Sequence, residues 1–289
     1  MGDGSPVRIM AAINVSPESF FKGSVAQGPK EVAERVRRAI EEGADLIDIG
    51  GASTAPYLNV GVPAEVERSR VVSALEASIE ALGGGKTPLS VDTVHASVAY
   101  AALKSGATVV NDVSGLKNDP EMARTVRENG VSLLAMAHSA GASRSPPISL
   151  VSRSLRQTLK IASEAGIESR SIVLDPGIGF FRNDVGSATS SQQLSMPWYE
   201  WDCEVLANLE RLKPLGRPIG VGLSRKSFLG KILGLDSPEE RLVGSLAATA
   251  VAVMNGAHLI RTHDVKVTLQ AVRAAEALKA RRRRAVQVS

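Results

Sequence analysis

The sequence predicts a (β/α)8 barrel, an α/β fold whose eight parallel strands close on themselves inside a ring of helices. Three observations carry this. A short β-branched or apolar run, then a polar glycine-containing loop, then an amphipathic helix rich in Ala, Glu and Arg, recurs eight times. The segments between runs are long enough for a helix to cross back over a parallel sheet. The chain has 289 residues, close to what one such barrel uses. A doubly wound open sheet explains the alternation equally well but does not require eight units. No composition shift marks a second domain. Residues 1–280 therefore read as one barrel domain, and 281–289 as a basic, disordered tail.

The strands are read at Val7–Ile13, Leu46–Ile49, Leu89–Val91, Thr108–Val110, Val131–Met136, Ile172–Leu174, Pro218–Val221 and His258–Ile260. Helix starts are marked by Asp119-Pro120-Glu121 and Ser237-Pro238-Glu239-Glu240, each an N-cap, a proline at the first helical position, then acids. Gly43, Gly106, Gly130 and Gly166 each stand just before a strand and mark helix ends. A further helix is read over Trp198–Leu212.

Composition narrows the function classes. Apolar residues are 44% and charged residues 22%, as in globular proteins. Aromatics are 3%, so the core must be built from Val, Ile, Leu and Ala. The most apolar stretch, Leu242 to Ile260, is broken by Gly244, Thr249, Asn255 and His258, so no membrane span is expected. The N-terminus lacks a basic segment followed by an apolar one, and a cytoplasmic location is expected. Cys203 is the sole cysteine. It permits no internal disulfide and no thiolate metal cluster, and reads as a packed side chain. The formal charge of +4 comes from Lys279 and Arg281 to Arg284. The body is nearly neutral, so no nucleic-acid face is expected.

In a barrel of this kind, chemistry lies at the C-terminal ends of the strands. Those ends carry Asn14; Asp48 with Gly50 to Thr54; Asp92; Asn111 and Asp112; His138; Asp175; Ser224, Arg225 and Lys226; and Arg261 with His263. The opposite face holds mostly glycine and small residues. Asp92, Asn111 and Asp175 suit a flat heterocycle with several N–H donors, because a carboxylate gains most from two parallel donors. Lys226, Arg261, His263 and the backbone N–H groups after Val221-Gly222-Leu223 suit a phosphate or pyrophosphate. Asn14 offers a carbonyl oxygen to a phosphate-bound Mg²⁺, an ion that takes few protein ligands.

Each of these residues also has a structural reading. Asp48, followed by two glycines, reads first as satisfying backbone donors in a tight turn. Asp112 reads equally as a cap of the loop 113–118. Asp92-Thr93 and Asp264 are possible helix caps, and Asp175 before Pro176-Gly177 a possible Asx turn. His95 and His258 read as packing or surface residues. Gly177 and Gly179 make no nucleotide fingerprint, since a third glycine and a following helix are missing.

Seven segments together carry a resemblance. They are I-M-A-A-I-N-V-S-P-E-S-F (9–20), D-I-G-G-A-S-T (48–54), S-V-D-T (90–93), N-D-V-S-G-L (111–116), L-D-P-G-I-G-F (174–180), G-L-S-R-K-S-F-L-G (222–230) and R-T-H-D-V (261–265). In order and spacing the chain resembles dihydropteroate synthase over nearly its whole length. The resemblance implies a (β/α)8 transferase joining 6-hydroxymethyl-7,8-dihydropterin pyrophosphate to p-aminobenzoate, with release of pyrophosphate and Mg²⁺ as cofactor. By motif position, Asp92, Asn111, Asp175 and Lys226 would hold the pterin beside Met136, with Asp92, Lys226 and Asn111 serving the chemistry. Asn14, Arg261 and His263 would hold pyrophosphate, and Asn14 the metal. Thr54, Phe180 and Ser224 would lie near the arylamine. A homodimer is implied through barrel helices, with the small-residue stretch Ala247–Ala252 placed there or against the barrel.

The chain departs from the family's pattern on the amine side. The second loop reads Ser53-Thr54-Ala55-Pro56 where the family has S-T-R-P. Glu18 and Phe21-Lys22 replace Asp and Ser-Asp. Met136-Ala137-His138 replaces M-H-M, and Arg182 to Pro197 is a long polar loop. Lys22 or Arg182 could supply the displaced positive charge. Three alternatives follow: the same chemistry on a modified arylamine of the methanopterin type, a pterin-dependent methyltransferase, or a non-catalytic pterin-binding paralogue. The Ser-Arg-Lys and Arg-x-His motifs count against the methyltransferase.

Overall fold

The strands found in a computed structural model of the chain are those expected, moved toward their C-terminal ends. The structure describes residues 1–2, 4–18, 23, 25–53, 61–138, 145–182 and 196–288. They are β1 (Arg8–Asn14), β2 (Leu46–Gly50), β3 (Leu89–Asp92), β4 (Val109–Asp112), β5 (Ser132–Met136), β6 (Ile172–Asp175), β7 (Gly220–Gly222) and β8 (Leu259–Thr262). All pair in parallel in the order β6-β5-β4-β3-β2-β1-β8-β7. A single bridge, Leu174 to Ile219, joins the two edges. The open-sheet alternative is thereby set aside. The shift has a physical cause. Ladder pairs continue through the polar residues, as in Asn14 with Gly50, Gly50 with Asp92, Asp92 with Asn111, and Met136 with Asp175. The residues read as first in the loops are thus last in the strands, and backbone bonds on both sides fix them.

The helices are α1 (Gly28–Glu41), α2 (Ala64–Leu82), α3 (Ala96–Lys104), α4 (Glu121–Asn129), α5 (Pro147–Glu164), α6 (Trp198–Ala207), α7 (Ser227–Leu233), α8 (Leu242–Met254) and α9 (Val265–Val288). The predicted Trp198–Leu212 helix ends at Ala207 and continues as a 3-10 segment, Leu209–Leu215. The capping box at Ser237 forms ahead of α8. Asp119 does more than expected, receiving the N–H of Glu121 at 3.0 Å and that of Ala96 across the way at 2.8 Å. α9 runs on through the basic residues read as a disordered tail, because Arg and Ala are strong helix formers.

Two cores divide the strand residues by parity. Outward-facing Ile9, Ile47, Ile49, Val91, Val110, Leu133, Leu174 and Ile260 are buried under the helices. Inside the barrel, Met10, Leu46, Leu134 and Leu259 form a separate apolar layer. It plugs the bottom, so polar side chains one and two rungs higher on the same face stand on a dry floor. Among the described residues, no helix is long and apolar enough to cross a membrane.

Candidate active site

The upper end of the barrel interior collects nearly all the polar residues singled out above. Asn14, Asp92, Asn111, Met136, Asp175, Phe180, Ser224, Lys226, Arg261 and His263 line one mouth, together with Ala52, Ser53 and Ser227. Thr54 and Ala55, with Phe21 and Lys22, lie outside the described residues. Asn14, Asp92, Asn111, Met136 and Asp175 come from the C-terminal ends of their strands, where alternation turns them inward. Gly50 leaves the room between two of them: a Cβ there would stand 3.3 Å from Asn14 Oδ1 and 3.9 Å from Asp92 Oδ2.

Arg261 is the hub. Its Nε donates to Asp48 Oδ2 at 2.6 Å and its Nη2 to Asp92 Oδ2 at 3.0 Å. Asn111 Nδ2 donates to the same Asp48 oxygen at 3.0 Å. Asp48 is fully buried, so its reading as a turn residue is corrected. It faces inward below Gly50 and orients both Arg261 and Asn111. Its parity with Asn14 and Asp92 on neighbouring strands was the signal that could have shown this. One oxygen each of Asp48 and Asp92 has no partner among the described residues, and Asp92 lines the mouth. Burial pushes Asp92 up to about 7; Arg261 pulls it back and Asp48 adds repulsion. Burial likewise raises Asp175, whose Oδ1 receives the Gly177 N–H at 2.7 Å. Asp175 is thus both the Asx turn and a lining residue.

Lys226 lies across the other wall, its Nζ 4.4 Å from the centre of the Phe180 ring. Burial lowers it to about 8, against the attraction of Asp175. His263 is not a cation here. Burial and then Arg261 push it down to about 3. Its Nδ1 is 3.0 Å from Ser224 Oγ and its Nε2 is 3.3 Å from Asn14 Nδ2. Ser224 is also 3.4 Å from Asp264 Oδ2. Its hydroxyl bonds on the His263 side of the mouth, which the residue lines together with Phe180. Ser227, which the sequence reading passed over, faces the wall near Phe180 and accepts from Arg182 Nη1 at 2.9 Å. The Arg182 guanidinium is stacked 3.7 Å from the Trp198 ring centre.

Several residues at strand ends do other work. Arg225 does not face the mouth. Its backbone is left-handed, with φ +54°, and its guanidinium grips Asp264 at 2.8 and 3.0 Å and the carbonyls of Pro238 and Glu239. The Asp264 side chain is therefore an ion-pair partner rather than a helix cap. This clamp aims Ser224 and Lys226 into the barrel. Asp112 caps its loop, receiving the N–H groups of Ser114 and Leu116 at 2.8 and 2.7 Å. The backbone N–H and carbonyl of His138 meet Ser154 Oγ on α5. His95 pairs with buried Glu67 at 2.9 Å, and His258 accepts the Ile219 N–H at the opposite end. Glu18 reaches Arg70, which also holds the Gly51 carbonyl at 3.1 Å. Arg70 and the hydroxyl of Ser16 lower Glu18 to about 2, so the pair ties the first loop to the second.

The pterin binding enzyme family profile matches residues 10–263. The chain is 35% identical over 258 residues to dihydropteroate synthase of Bacillus subtilis, covering 89% of this chain and 84% of the relative. The chain belongs to the dihydropteroate synthase family. Dihydropteroate synthase of Escherichia coli K12 is 33% identical over 95% of this chain and 93% of its own. Among solved structures, the family member from Clostridium difficile, determined in the presence of pteroic acid, matches with a TM-score of 0.81 at 32% identity, covering 96% of this chain and 99% of its own. The enzyme of Xanthomonas albilineans in complex with 7,8-dihydropteroate matches with a TM-score of 0.78 at 33% identity, covering 96% and 95%. The mouth of this dihydropteroate synthase family member thus stands at the same end of the barrel as the matched motifs.

Proposed function

We propose that the protein joins the amine of p-aminobenzoate to a dihydropterin presented as its pyrophosphate ester, releasing pyrophosphate. The observation that carries this is the division of one mouth into an acidic, amide-bearing floor and a cationic wall. Asp92, Asn111 and Asp175 form the floor, and the free oxygen of Asp92 together with the raised, partly buried Asp175 suits paired N–H donors of a fused ring. Arg261 and Lys226 draw charge off the leaving pyrophosphate, and Asn14 and His263 add neutral hydrogen bonds. A cation developing on the pterin as the C–O bond breaks is stabilised by the Asp92 carboxylate in a water-poor site. The weakly basic arylamine then attacks from the Phe180 and Ser227 side. No enzyme nucleophile is needed, in keeping with Cys203 lying on α6, where burial raises its thiol.

Mg²⁺ fits as a companion of the pyrophosphate. Among the described residues no group of three His, Cys, Asp or Glu side chains could cage a metal. Asn14 supplies one amide oxygen, and Mg²⁺ commonly keeps few protein ligands. When bound, the ion would neutralise leaving-group charge. We also infer a dimer through the α7–α8 surface, where Leu233, Val243 and Val251 are 50%, 77% and 45% exposed. Sedimentation at micromolar concentration tests the dimer.

Incubation with the pterin pyrophosphate, Mg²⁺ and p-aminobenzoate, with product identified by mass, tests the reaction. The condensed product and one pyrophosphate per turnover are expected. Release of pyrophosphate with no condensed product, or no turnover with any arylamine, rejects the reading.

A further inference from the structure

We propose that Asp202 is a positioning residue that holds the Lys226 wall of the mouth in place and helps keep Lys226 charged. This rests on the reading of that mouth as the pterin site. Asp202 lies on α6 and is fully buried. Its Oδ1 receives the Gly179 N–H at 2.8 Å, while its Oδ2 has no partner among the described residues. A carboxylate so placed is costly unless opposite charge lies near. The reaction described above does not use it.

The geometry shows what it supports. Gly179 has φ +86°, and a Cβ there would come within 3.0 Å of Lys226 Cδ and 3.4 Å of its Nζ. The stem of Lys226 therefore runs along Gly179, and its ammonium stands over the next residue, Phe180. Asp202 pins the Gly179 peptide from behind, and Lys226 lies on its front. The carboxyl of Asp202 feels Lys226 at the start of α7 and Arg182 in the loop after β6. Lys226 in turn feels Asp175 on β6, Arg261 on β8, Asp202 on α6 and Asp92 on β3.

Burial moves the two groups toward each other, Asp202 up to about 7 and Lys226 down to about 8. As pH rises past 7, Asp202 becomes a carboxylate and holds the proton on Lys226. Loss of that carboxylate lowers Lys226 further, so activity that needs the ammonium is lost at a lower pH.

The test is kcat/KM for pterin pyrophosphate against pH in wild type, Asp202→Asn and Asp202→Ala. Asn keeps an acceptor for the Gly179 N–H but carries no charge. Its basic limb is expected to move down by about half to one pH unit, as removal of a nearby opposite charge dictates. Ala is expected to show the same move and, in addition, a KM for pterin pyrophosphate raised roughly tenfold at pH 6.5, where Lys226 is protonated in every form. A basic limb that stays in place in Asp202→Asn, or losses in both variants that are equal at every pH, overturns the proposal. Thermal melting checks folding, and should Ala not fold, the limb of the Asn variant decides alone. Should wild type make no product, the failure belongs to the proposed reaction. Binding of 6-hydroxymethylpterin against pH then reads the same limb, and an unshifted one, or no binding at all, ends the inference too.

Discussion

Replacing Arg261 with Met should destabilise the barrel strongly, and in a manner that depends on pH. Arg261 is 23% exposed and pairs with Asp48 and Asp92, whose side chains are 0% and 7% exposed. Met fills similar volume but leaves both acids without their cation. Breaking a buried pair from one side costs about 3–5 kcal/mol, or roughly 6–12 °C in Tm for a chain of this size. The sign follows from Asp92. Its pKa in the folded protein already lies well above the unfolded value near 4, and Arg261 is the attraction that restrains it. Without Arg261 it rises further. A carboxyl raised by folding takes up a proton on folding, so stability is retained at low pH and lost as pH rises through the folded value. The loss in Arg261→Met should be largest at pH 8 and shrink by pH 5. Adding Asp48→Asn removes one stranded charge and should return about half of the loss at pH 8. Thermal unfolding followed by circular dichroism at both pH values is the assay. A loss under about 1 kcal/mol, or one of equal size at pH 5 and pH 8, would refute the account of Arg261 as the counter-charge of two buried acids.

Three further outcomes are expected. The pH profile of kcat/KM should be a bell with an acid limb near 7 from Asp92, needed as carboxylate, and a basic limb near 8 from Lys226, needed as ammonium; a limb near 6.5 that vanishes in His263→Gln would contradict the neutral state of His263. Arg225→Ala should lose about 2–4 kcal/mol of stability, since a left-handed non-glycine backbone and an ion pair with Asp264 are left unsupported, and the same variant should raise the KM for pterin pyrophosphate; unfolding melts and steady-state kinetics check both. Gly179→Ala should raise that KM at least about tenfold, because the added methyl meets Lys226 at 3.0 Å from a backbone at φ +86°; unchanged kinetics would mean that Lys226 does not need its present path.

The barrel was legible because periodicity reports what every strand shares: one face under helices, the next residue in the interior. Glycines before strands ended the helices, and the capping signals at Asp119 and Ser237 opened them, where the sequence placed them. The site was legible at residue level only where a polar side chain ended an apolar run, as Asn14, Asp92 and Asp175 do. Asp48 escaped this rule because two glycines follow it, and glycines look like a turn until the ladder is seen to continue through Gly50. Arg225 stands at a strand end beside Lys226, but its left-handed backbone swings it away from the mouth, and Asp264, 39 positions on, claims it. Such a contact is set by the closing of β7 beside β8, not by any local pattern. Ser224 follows the same logic: its hydroxyl is drawn to His263 because the two strand ends are neighbours, so its chemistry belongs to the barrel's circumference rather than to its own motif. What local sequence does not show is therefore a partner on another strand around the ring, β8 for Arg225 and Ser224 and both β4 and β8 for Asp48. For them, inward parity on adjacent strands, counted from an apolar floor such as Met10 and Leu46, is a better guide than the identity of the residue or the loop that follows it.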